Sequence, residues 1–271
     1  MFELVHAQDG AAFFRSTLLA RIGVPHAFST RIGGVSTGPF ASLNFGNPQD
    51  SGEQDSAANI QINRQLLLGA MGRTGFPVAT VRQVHGNQTV VIPPEVAEQP
   101  AILARQFSGK ICADAVICRT KGILCAIRTA DCVPILLADV DGQMAAAVHA
   151  GWRGVMANII GGVIATMTTA GIPPHRIAAA VGPAIGAAAF EVSPEVAESF
   201  IQAGLSHTVI TGPGRPHIDL AGSVASQLCA AGIVNIDSSN LCTAKHPDYF
   251  FSHRRDKGIT GRMMAVIGRP D

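Results

Sequence analysis

Four short apolar runs in the middle of the chain constrain its fold more than any other feature. From residue 111 onward, turn residues separate the segments ADAVICRT, GILCAIRTADC, VPILLADV and QMAAAVHAG. Short apolar runs bounded by turn residues are typical of strands that are largely buried. The central part of the chain is therefore predicted to form a buried β-sheet.

Helices are predicted before and after these strands along the sequence. Capping and proline signals predict helices over SPEVAESFIQAG and DLAGSVASQLCAAG, and two more are expected over residues 55–71 and 155–169. Because strands and helices are mixed rather than strictly alternating, we expect a layered α/β fold with a mixed sheet. Hydrophobic residues make up 47% of the 271, which is ample material for a core. We expect a single domain over residues 1–271, with a boundary near residue 105 as the alternative.

Charge and cysteine usage limit the classes of partner and compartment. The formal net charge is +1 and Lys and Arg form no run, so we expect no nucleic-acid partner and no membrane surface. The first residues, MFELVHAQDG, do not form a secretion signal, and no two of the six cysteines have CxxC spacing. We therefore expect free thiols and a cytoplasmic location. The uncharged stretch 154–172 contains Asn, Thr and several Gly, which favours a buried helix over a membrane span.

Three polar side chains stand where predicted strands end. His85 closes VATVRQVHG, Cys132 lies in RTADC, and His149 lies in AVHAGWRG. In α/β sheets, ligands bind beside the glycine-rich turns that follow strands. Two histidines and a cysteine can bind zinc as three protein ligands and leave a fourth position open. The sequence therefore indicates a metal site, although the residues are too far apart in sequence to form a motif by themselves.

The same three residues allow other interpretations. Cys132 can be a nucleophile activated by His149, as in cysteine hydrolases. Two histidines and a cysteine also form the ligand set of copper electron-transfer sites. The nine histidines include no His-x-His pair, which disfavours a full multicopper oxidase. The simplest alternative is that the three residues are unconnected and that His149 bonds to a backbone carbonyl.

Several arginines are candidates for binding an anion. Arg31 lies in TRIGG, Arg64 lies on the predicted helix over residues 55–71, and Arg153 lies at a predicted helix start, where unpaired N–H groups favour an anion. Arg254 and Arg255 in SHRRD are basic enough for phosphate. The alternative for each of them is a solvated surface residue or a surface salt bridge.

Taken together, segments that run in order along the chain resemble one bacterial family. The family was first described as laccase-like multicopper polyphenol oxidases and is now regarded as zinc-dependent purine nucleoside phosphorylases with adenosine deaminase activity. The resemblance runs from about Phe28 to Met264, and QVHG, TADC and HAGWRG are its most specific motifs. The matching segments are FSTRIGGVS, SLNFG, NRQLL, QVHG, ADAV, TADCVPILL, AVHAGWRG, VGPAIG, FEVSPEV, and SHRRD with TGR.

The resemblance implies a fold and a set of metal ligands. The implied fold is a three-layer α/β/α sandwich of the cysteine-hydrolase-like type with a mixed β-sheet. The family's zinc ligands are the His of QVHG, the Cys of TADC and the first His of HAGWRG, which correspond to His85, Cys132 and His149. These are the same residues that stand at the predicted strand ends.

The resemblance also implies substrate-binding residues. The arginine of the NR motif corresponds to Arg64, a candidate phosphate ligand, and Arg31, Asn44 and Arg153 lie in matching motifs as further candidates. Asp131, beside Cys132, is a candidate proton-transfer residue, although neighbours on a strand point to opposite faces. The tail departs from the family pattern, since it has His253 where an aromatic residue is commoner and an extra residue before TGR.

The leading functional hypothesis is phosphorolysis of adenosine, inosine or 5′-methylthioadenosine to a free purine and a sugar 1-phosphate, with adenosine deamination as a second activity. Zn²⁺ is the expected metal, with copper as the alternative, and a nucleoside and phosphate are the expected ligands. Three alternatives stay open. They are a copper-dependent polyphenol oxidase, a Cys132-dependent hydrolase of the kind that edits cell-wall precursors, and a non-catalytic zinc-dependent binding module.

Overall fold

The computed structural model describes residues 1–47 and 52–270. Its helices are α1 (Thr17–Arg21), α2 (Ala57–Ala70), α3 (Pro94–Ala97), α4 (Pro100–Gln106), α5 (Trp152–Met156), α6 (Ile159–Thr169), α7 (Pro194–Gln202) and α8 (Leu220–Ala230). Its strands are β1 (Phe2–His6), β2 (Ala12–Ser16), β3 (His26–Ser29), β4 (Val78–Arg82), β5 (Thr89–Val91), β6 (Ser108–Cys112), β7 (Ala115–Cys118), β8 (Leu124–Thr129), β9 (Val133–Asp139), β10 (Ala145–Ala150), β11 (Ile177–Val181), β12 (Val209–Ile210), β13 (His217–Ile218), β14 (Asn235–Ser238) and β15 (Met263–Gly268).

Most strands belong to two large sheets. The first has seven strands in the order β1-β2-β3-β15-β8-β4-β6, and the second has six in the order β14-β11-β9-β10-β7-β5. Both sheets are mixed. In the first, β8 runs parallel to β4 and antiparallel to β15. In the second, β11 runs parallel to β14 and antiparallel to β9. This arrangement confirms the predicted mixed α/β class.

The two sheets pack face to face, and helices cover their outer faces. One buried cluster joins residues of both sheets, a second joins the six-stranded sheet to α5, α6, α7 and α8, and a third joins the seven-stranded sheet to α2. The expected three-layer sandwich had a single sheet between helical layers. The layers here run helix, sheet, sheet, helix.

Alanines make the close packing of the two sheets possible. Ala145 and Ala147 of β10, Ala178 and Ala180 of β11, and Ala265 of β15 all belong to the cluster between the sheets. Alternate residues of a strand point to opposite faces, so the larger Val148 of β10 points to the helical side. The alanine-rich runs therefore indicate a sheet face that meets another sheet, a feature the sequence patterns did not predict.

The helix and strand predictions hold with two local differences. Ser193 precedes α7, and the side chain of Asp219 caps α8 by accepting a hydrogen bond from the Gly222 N–H, as expected. The helix predicted over 155–169 is divided into α5 and α6, because Asn158 adopts a left-handed backbone with φ of 53° and caps α6. The strand predicted to end at His85 ends at Arg82. Within the described residues, no helix is long and apolar enough to cross a membrane.

The connection from β8 to β9 brings both sheets to one site. β8 belongs to the seven-stranded sheet and β9 to the six-stranded sheet, so residues 130–132 cross between them. Across the β9–β10 pair, His149 lies opposite Pro134 and Ala150 lies opposite Val133. This register places Cys132, which directly precedes β9, beside the end of β10.

Candidate active site

A cavity of about 780 Å³ opens at this end of the two sheets. The segment after β4, the β8–β9 crossover and the end of β10 form one wall. The tail between residues 253 and 262 and the loop containing Phe190 form another. The cavity is large enough to hold a small-molecule ligand.

His85, Cys132 and His149 meet in this cavity. One potential ligand atom from each residue lies within 4.8 Å of the other two, and the two imidazole centroids are 4.9 Å apart. Gly151 allows this approach, since a Cβ atom there would lie 2.9 Å from Cδ2 of His85 and 3.1 Å from Sγ of Cys132. Three residues distant in sequence thus form a group that can hold a metal ion.

Asp114 forms hydrogen bonds with two of these residues, His85 and His149. Its Oδ1 accepts hydrogen bonds from Nδ1 of His149 at 2.8 Å and from the His85 N–H at 3.0 Å. Its Oδ2 accepts from the N–H groups of Gly86 at 2.7 Å and Val84 at 3.2 Å. Since Asp114 occupies Nδ1 of His149, that ring presents Nε2 toward Cys132.

Electrostatics favour an ionised Cys132. Burial alone would raise the pKa of its thiol, but the neighbouring His149 and His85 lower the pKa to about 6. Burial alone would lower the pKa of His149, but the Cys132 sulfur and the Asp114 carboxylate raise it to about 9. The thiolate is the form of cysteine that binds a metal.

Asp131 lies on the cavity wall with both carboxylate oxygens occupied. Oδ1 accepts a hydrogen bond from Oγ1 of Thr243 at 2.6 Å, and Oδ2 accepts from the Arg254 N–H at 2.7 Å. Its backbone has a positive φ of 94°. In this arrangement the residue predicted for proton transfer also fastens the tail to the crossover that carries Cys132.

Three arginines cluster at or beside the cavity. Arg128 of β8 and Arg262, just before β15, line the cavity, and Arg64 of α2 lines a neighbouring cavity of about 610 Å³. Burial lowers the pKa of all three guanidinium groups, and the charge of Arg64 lowers that of Arg128 further. Among the described residues, none of the three forms a salt bridge, and Nε of the Arg64 side chain is buried without a hydrogen-bond partner.

The other predicted substrate-binding residues lie outside the cavity lining. Asn44 is fully buried, and its Oδ1 accepts a hydrogen bond from the Arg262 N–H at 2.8 Å. This contact fixes the backbone of Arg262. Arg31 donates to the carbonyl of Ala41 and stacks on a ring of the tail. Arg153 is exposed, with its guanidinium carbon 4.4 Å from the centroid of the Trp152 ring.

Apolar side chains form the remaining wall. Trp152, Ile185, Phe190 and Leu220 all line the cavity. Arg254 stabilises this wall because its Nη1 donates to the carbonyl of Glu191 at 2.9 Å and its guanidinium lies over the ring of Phe190. His253 and Lys257 of the tail also line the cavity.

Three residues of the site were not among those predicted to bind the metal or the substrate or to act in catalysis, although the RTADC segment at a predicted strand end contains Arg128. Asp114 lies in the ADAV segment, Arg128 directly precedes TADC, and Arg262 is the arginine of TGR. A signal was present for Arg128 and Arg262, since a charged residue at the end of an apolar strand is uncommon. Nothing local distinguishes Asp114, whose role depends on a loop and a strand distant in sequence.

Known proteins of several bacteria resemble the chain along most of its length. The family model described as multi-copper polyphenol oxidoreductase laccase matches residues 25–270. A purine nucleoside phosphorylase of Deinococcus radiodurans is 41% identical over 92% of this chain and 90% of its own length. The purine nucleoside phosphorylase YfiH of Shigella flexneri is 36% identical over 90% of this chain and 93% of its own. The crystal structure of YlmD from Geobacillus stearothermophilus superposes with a TM-score of 0.85, at 31% identity and 99% coverage of each chain.

Proposed function

The chain belongs to the family described as multi-copper polyphenol oxidoreductase laccase, and from this membership and its cavity we propose that it is a zinc-dependent purine nucleoside phosphorylase. The membership confirms the resemblance indicated by the sequence motifs. Relatives named purine nucleoside phosphorylase support an enzyme that takes a purine nucleoside and phosphate. The observation that carries the proposal is one cavity lined both by a His–Cys–His group and by Arg128 and Arg262, which form no salt bridge among the described residues.

The donor atoms fit a zinc ion. Imidazole nitrogen and thiolate sulfur are the ligands that zinc prefers, and three protein ligands are typical of catalytic rather than structural zinc sites. The hydrogen bond from His149 to Asp114 is the kind of outer contact that holds a metal-binding histidine. We assign His85, Cys132 and His149 as the residues that hold the metal. When bound, zinc supplies a concentrated positive charge and Lewis acidity to the cavity.

The arginines are suited to hold phosphate. Arg128 and Arg262 present guanidinium groups to the cavity, and guanidinium pairs with phosphate through two parallel hydrogen bonds. Arg64 adds positive charge behind Arg128. In the proposed reaction a phosphate oxygen bonds to C1′ of the ribose while the C1′–N9 bond breaks. The electrons of that bond pass to N9 of the purine, which takes up the proton that hydrogen phosphate gives up. The neutral free base leaves, and the sugar becomes a sugar 1-phosphate.

The apolar wall is suited to bind the purine base. Trp152, Phe190 and Leu220 offer surfaces against which a flat heterocycle can pack. A nucleoside that places its base there and its ribose near the arginines has C1′ beside phosphate, and this proximity lowers the barrier. We propose adenosine, inosine and 5′-methylthioadenosine as substrates. As a second activity we propose adenosine deamination, in which water adds at C6 of the purine and ammonia leaves.

Two further observations favour this proposal over its alternatives. Within residues 1–47 and 52–270 one group of His, Cys and acidic residues is arranged to hold a metal, whereas a multicopper oxidase needs several. A Cys132 hydrolase would leave the arginine cluster without a role. All six cysteines have free thiols, which supports our placement of the protein in a reducing cytoplasm.

The deciding experiment combines metal analysis with product separation. Zinc-loaded protein of measured metal content is incubated with adenosine, with and without phosphate. We expect adenine and ribose 1-phosphate only when phosphate is present, and inosine or hypoxanthine where deamination occurs. Cys229→Ala, an exposed cysteine on α8, serves as the matched control and should keep full activity. Absence of phosphate-dependent adenine would refute the proposed function.

Two added arms test the alternatives. Oxygen uptake with a phenol by copper-loaded protein would favour the oxidase. Amide hydrolysis that persists after zinc is chelated would favour a Cys132 nucleophile. Zinc binding by His85, Cys132 and His149 without turnover of any of these substrates would favour a non-catalytic binding module.

A further inference from the structure

One buried carboxylate joins two of the three residues that we assign to the metal. Asp114 is fully buried between β6 and β7. Each of its oxygens accepts two hydrogen bonds, one pair from His149 Nδ1 and the His85 N–H, the other from the N–H groups of Val84 and Gly86. Its own backbone carbonyl accepts a further hydrogen bond from the His149 N–H at 2.7 Å.

All four groups that surround this carboxylate are donors. Only a side chain without hydrogen atoms on either terminal atom can satisfy them together, and an ionised carboxylate is that side chain. An asparagine of the same shape would place its NH₂ group against either the 84–86 N–H groups or the His85 and His149 donors. The contact set therefore demands a carboxylate at this position.

The same carboxylate holds His85 in an unfavourable backbone conformation. His85 has a φ of 59°, in the left-handed region, which is strained for a non-glycine residue. The three successive N–H groups of residues 84–86 all point at Asp114, and this convergence keeps the turn in place. The turn directs the His85 side chain toward Cys132.

We propose that Asp114 is a positioning residue that sets the orientation of both histidines at once and thereby the affinity of the site for zinc. The inference rests on the metal-binding part of the proposed function. Asp114 holds a proton of His149 on Nδ1, so that Nε2 is the nitrogen that gives up its proton to the metal, and it fixes His85 through the backbone. Cys132 alone among the three residues is held by other means.

Asp114→Asn tests the inference, with zinc affinity measured by competition with a chromophoric chelator. We expect zinc affinity to fall about 10- to 100-fold, the range typical of lost outer-shell contacts. Asp139→Asn is the matched control, because Asp139 is also fully buried but pairs with Arg176 away from the cavity. It should destabilise the fold while leaving zinc affinity within about threefold of the parent.

Cobalt provides a spectroscopic measurement that a merely structural role would not change. The parent protein with Co²⁺ should show the intense visible bands of a tetrahedral site with a thiolate ligand. Asp114→Asn should weaken and shift these bands, while Asp139→Asn should not. Asp114→Glu retains the carboxylate and should recover part of the zinc affinity. Unchanged zinc affinity and an unchanged cobalt spectrum in folded Asp114→Asn would overturn the inference.

A measurement on the unaltered chain covers the case in which Asp114→Asn does not fold. With ¹⁵N-labelled histidine, zinc should shift the Nε2 resonance of His149 while its Nδ1 keeps a slowly exchanging proton. Binding through Nδ1 instead would overturn the inference. Zinc binding and phosphorolysis are measured separately. If the chain is active but Asp114→Asn does not change zinc affinity, only the inference fails. If the chain binds zinc but shows no phosphorolysis, only the proposed function fails.

Discussion

The two sides of the cavity differ in how their polar groups are satisfied. At the side of His85, Cys132 and His149, which we call the metal side, hydrogen bonds within the chain fix the histidines through Asp114. The side chains of Arg64, Arg128 and Arg262, which we call the arginine side, are cations that lie close together, and none forms a salt bridge among the described residues. Hydrogen bonds within the protein therefore position the metal side, whereas the positive charge of the arginine side is available to a bound anion.

The difference follows from the chemistry of the two ligands. A metal ion requires several ligand atoms within a few tenths of an ångström of fixed positions, so its residues must be held before it binds. Phosphate is a larger anion, and partly buried positive charge attracts it without such exact placement. We therefore expect changes on the metal side to act mainly on zinc affinity and changes on the arginine side to act mainly on phosphate.

The largest effect is expected from Cys132→Ala. Removal of the only thiolate ligand should lower zinc affinity at least about 100-fold and abolish zinc-dependent turnover. Isothermal titration with zinc and the adenosine assay measure the two effects, with Cys229→Ala as the control. Full zinc affinity in Cys132→Ala would break the assignment of the metal side.

Arg128→Ala should weaken phosphate binding at the arginine side. Loss of a charge-assisted contact costs about 1.5–3 kcal/mol, so the KM for phosphate should rise about 10- to 100-fold. Zinc affinity should change little, since Arg128 contacts no assigned metal residue. The control is Arg15→Ala, a half-exposed arginine paired with Glu3. A variant that loses zinc as readily as it loses phosphate would show that the two sides are not independent.

Zinc affinity should depend on pH between 7 and 9. With the pKa of Cys132 lowered to about 6 and that of His149 raised to about 9, the chain holds a thiolate and a protonated imidazole in this range. Zinc must displace the His149 proton, so affinity should rise about tenfold per pH unit and level off above pH 9. Chelator competition at several pH values measures this slope, and a flat profile would contradict the two pKa shifts.

The free energy of unfolding, measured with chelator present, should depend less on pH between 7 and 9 than zinc affinity does. The raised pKa of His149 stabilises the fold below 6.5, and this contribution is lost as the pH rises to about 9. The lowered pKa of Cys132 stabilises it above 9.0, and this contribution is lost as the pH falls to about 6. The two changes oppose each other, so urea unfolding should show little net slope from this pair.

Among the substitutions, the smallest effect is expected from Gly151→Ala. The added Cβ would lie 2.9 Å from Cδ2 of His85 and 3.1 Å from Sγ of Cys132, so both ligands must shift. Such overpacking costs about 1–3 kcal/mol, and we expect zinc affinity to fall about tenfold with phosphate binding unchanged. Gly162→Ala on α6 has open space around it and is the control. Equal zinc affinity in both variants would show that the metal side tolerates displacement.

Much of the fold could be predicted from local patterns. Apolar runs located β7, β8, β9 and β10, and capping signals located α7 and α8, because burial and hydrogen-bond satisfaction act over a few residues. The patterns did not distinguish one sheet from two. Every buried strand has an apolar sequence, whichever sheet it joins, and strand pairing depends on residues far along the chain.

The sequence by itself determined the candidate metal residues, since His85, Cys132 and His149 stand beside strand ends and within recognisable motifs. Only the tertiary structure brought Asp114 into contact with two of them and placed Arg128 and Arg262 in the lining of the same cavity. It also gave Asn44 and Arg31 supporting positions behind the wall and left Arg153 on the surface. The physical reason is that residue type limits the chemistry a side chain can perform, whereas its partners are chosen by contacts between segments distant in sequence.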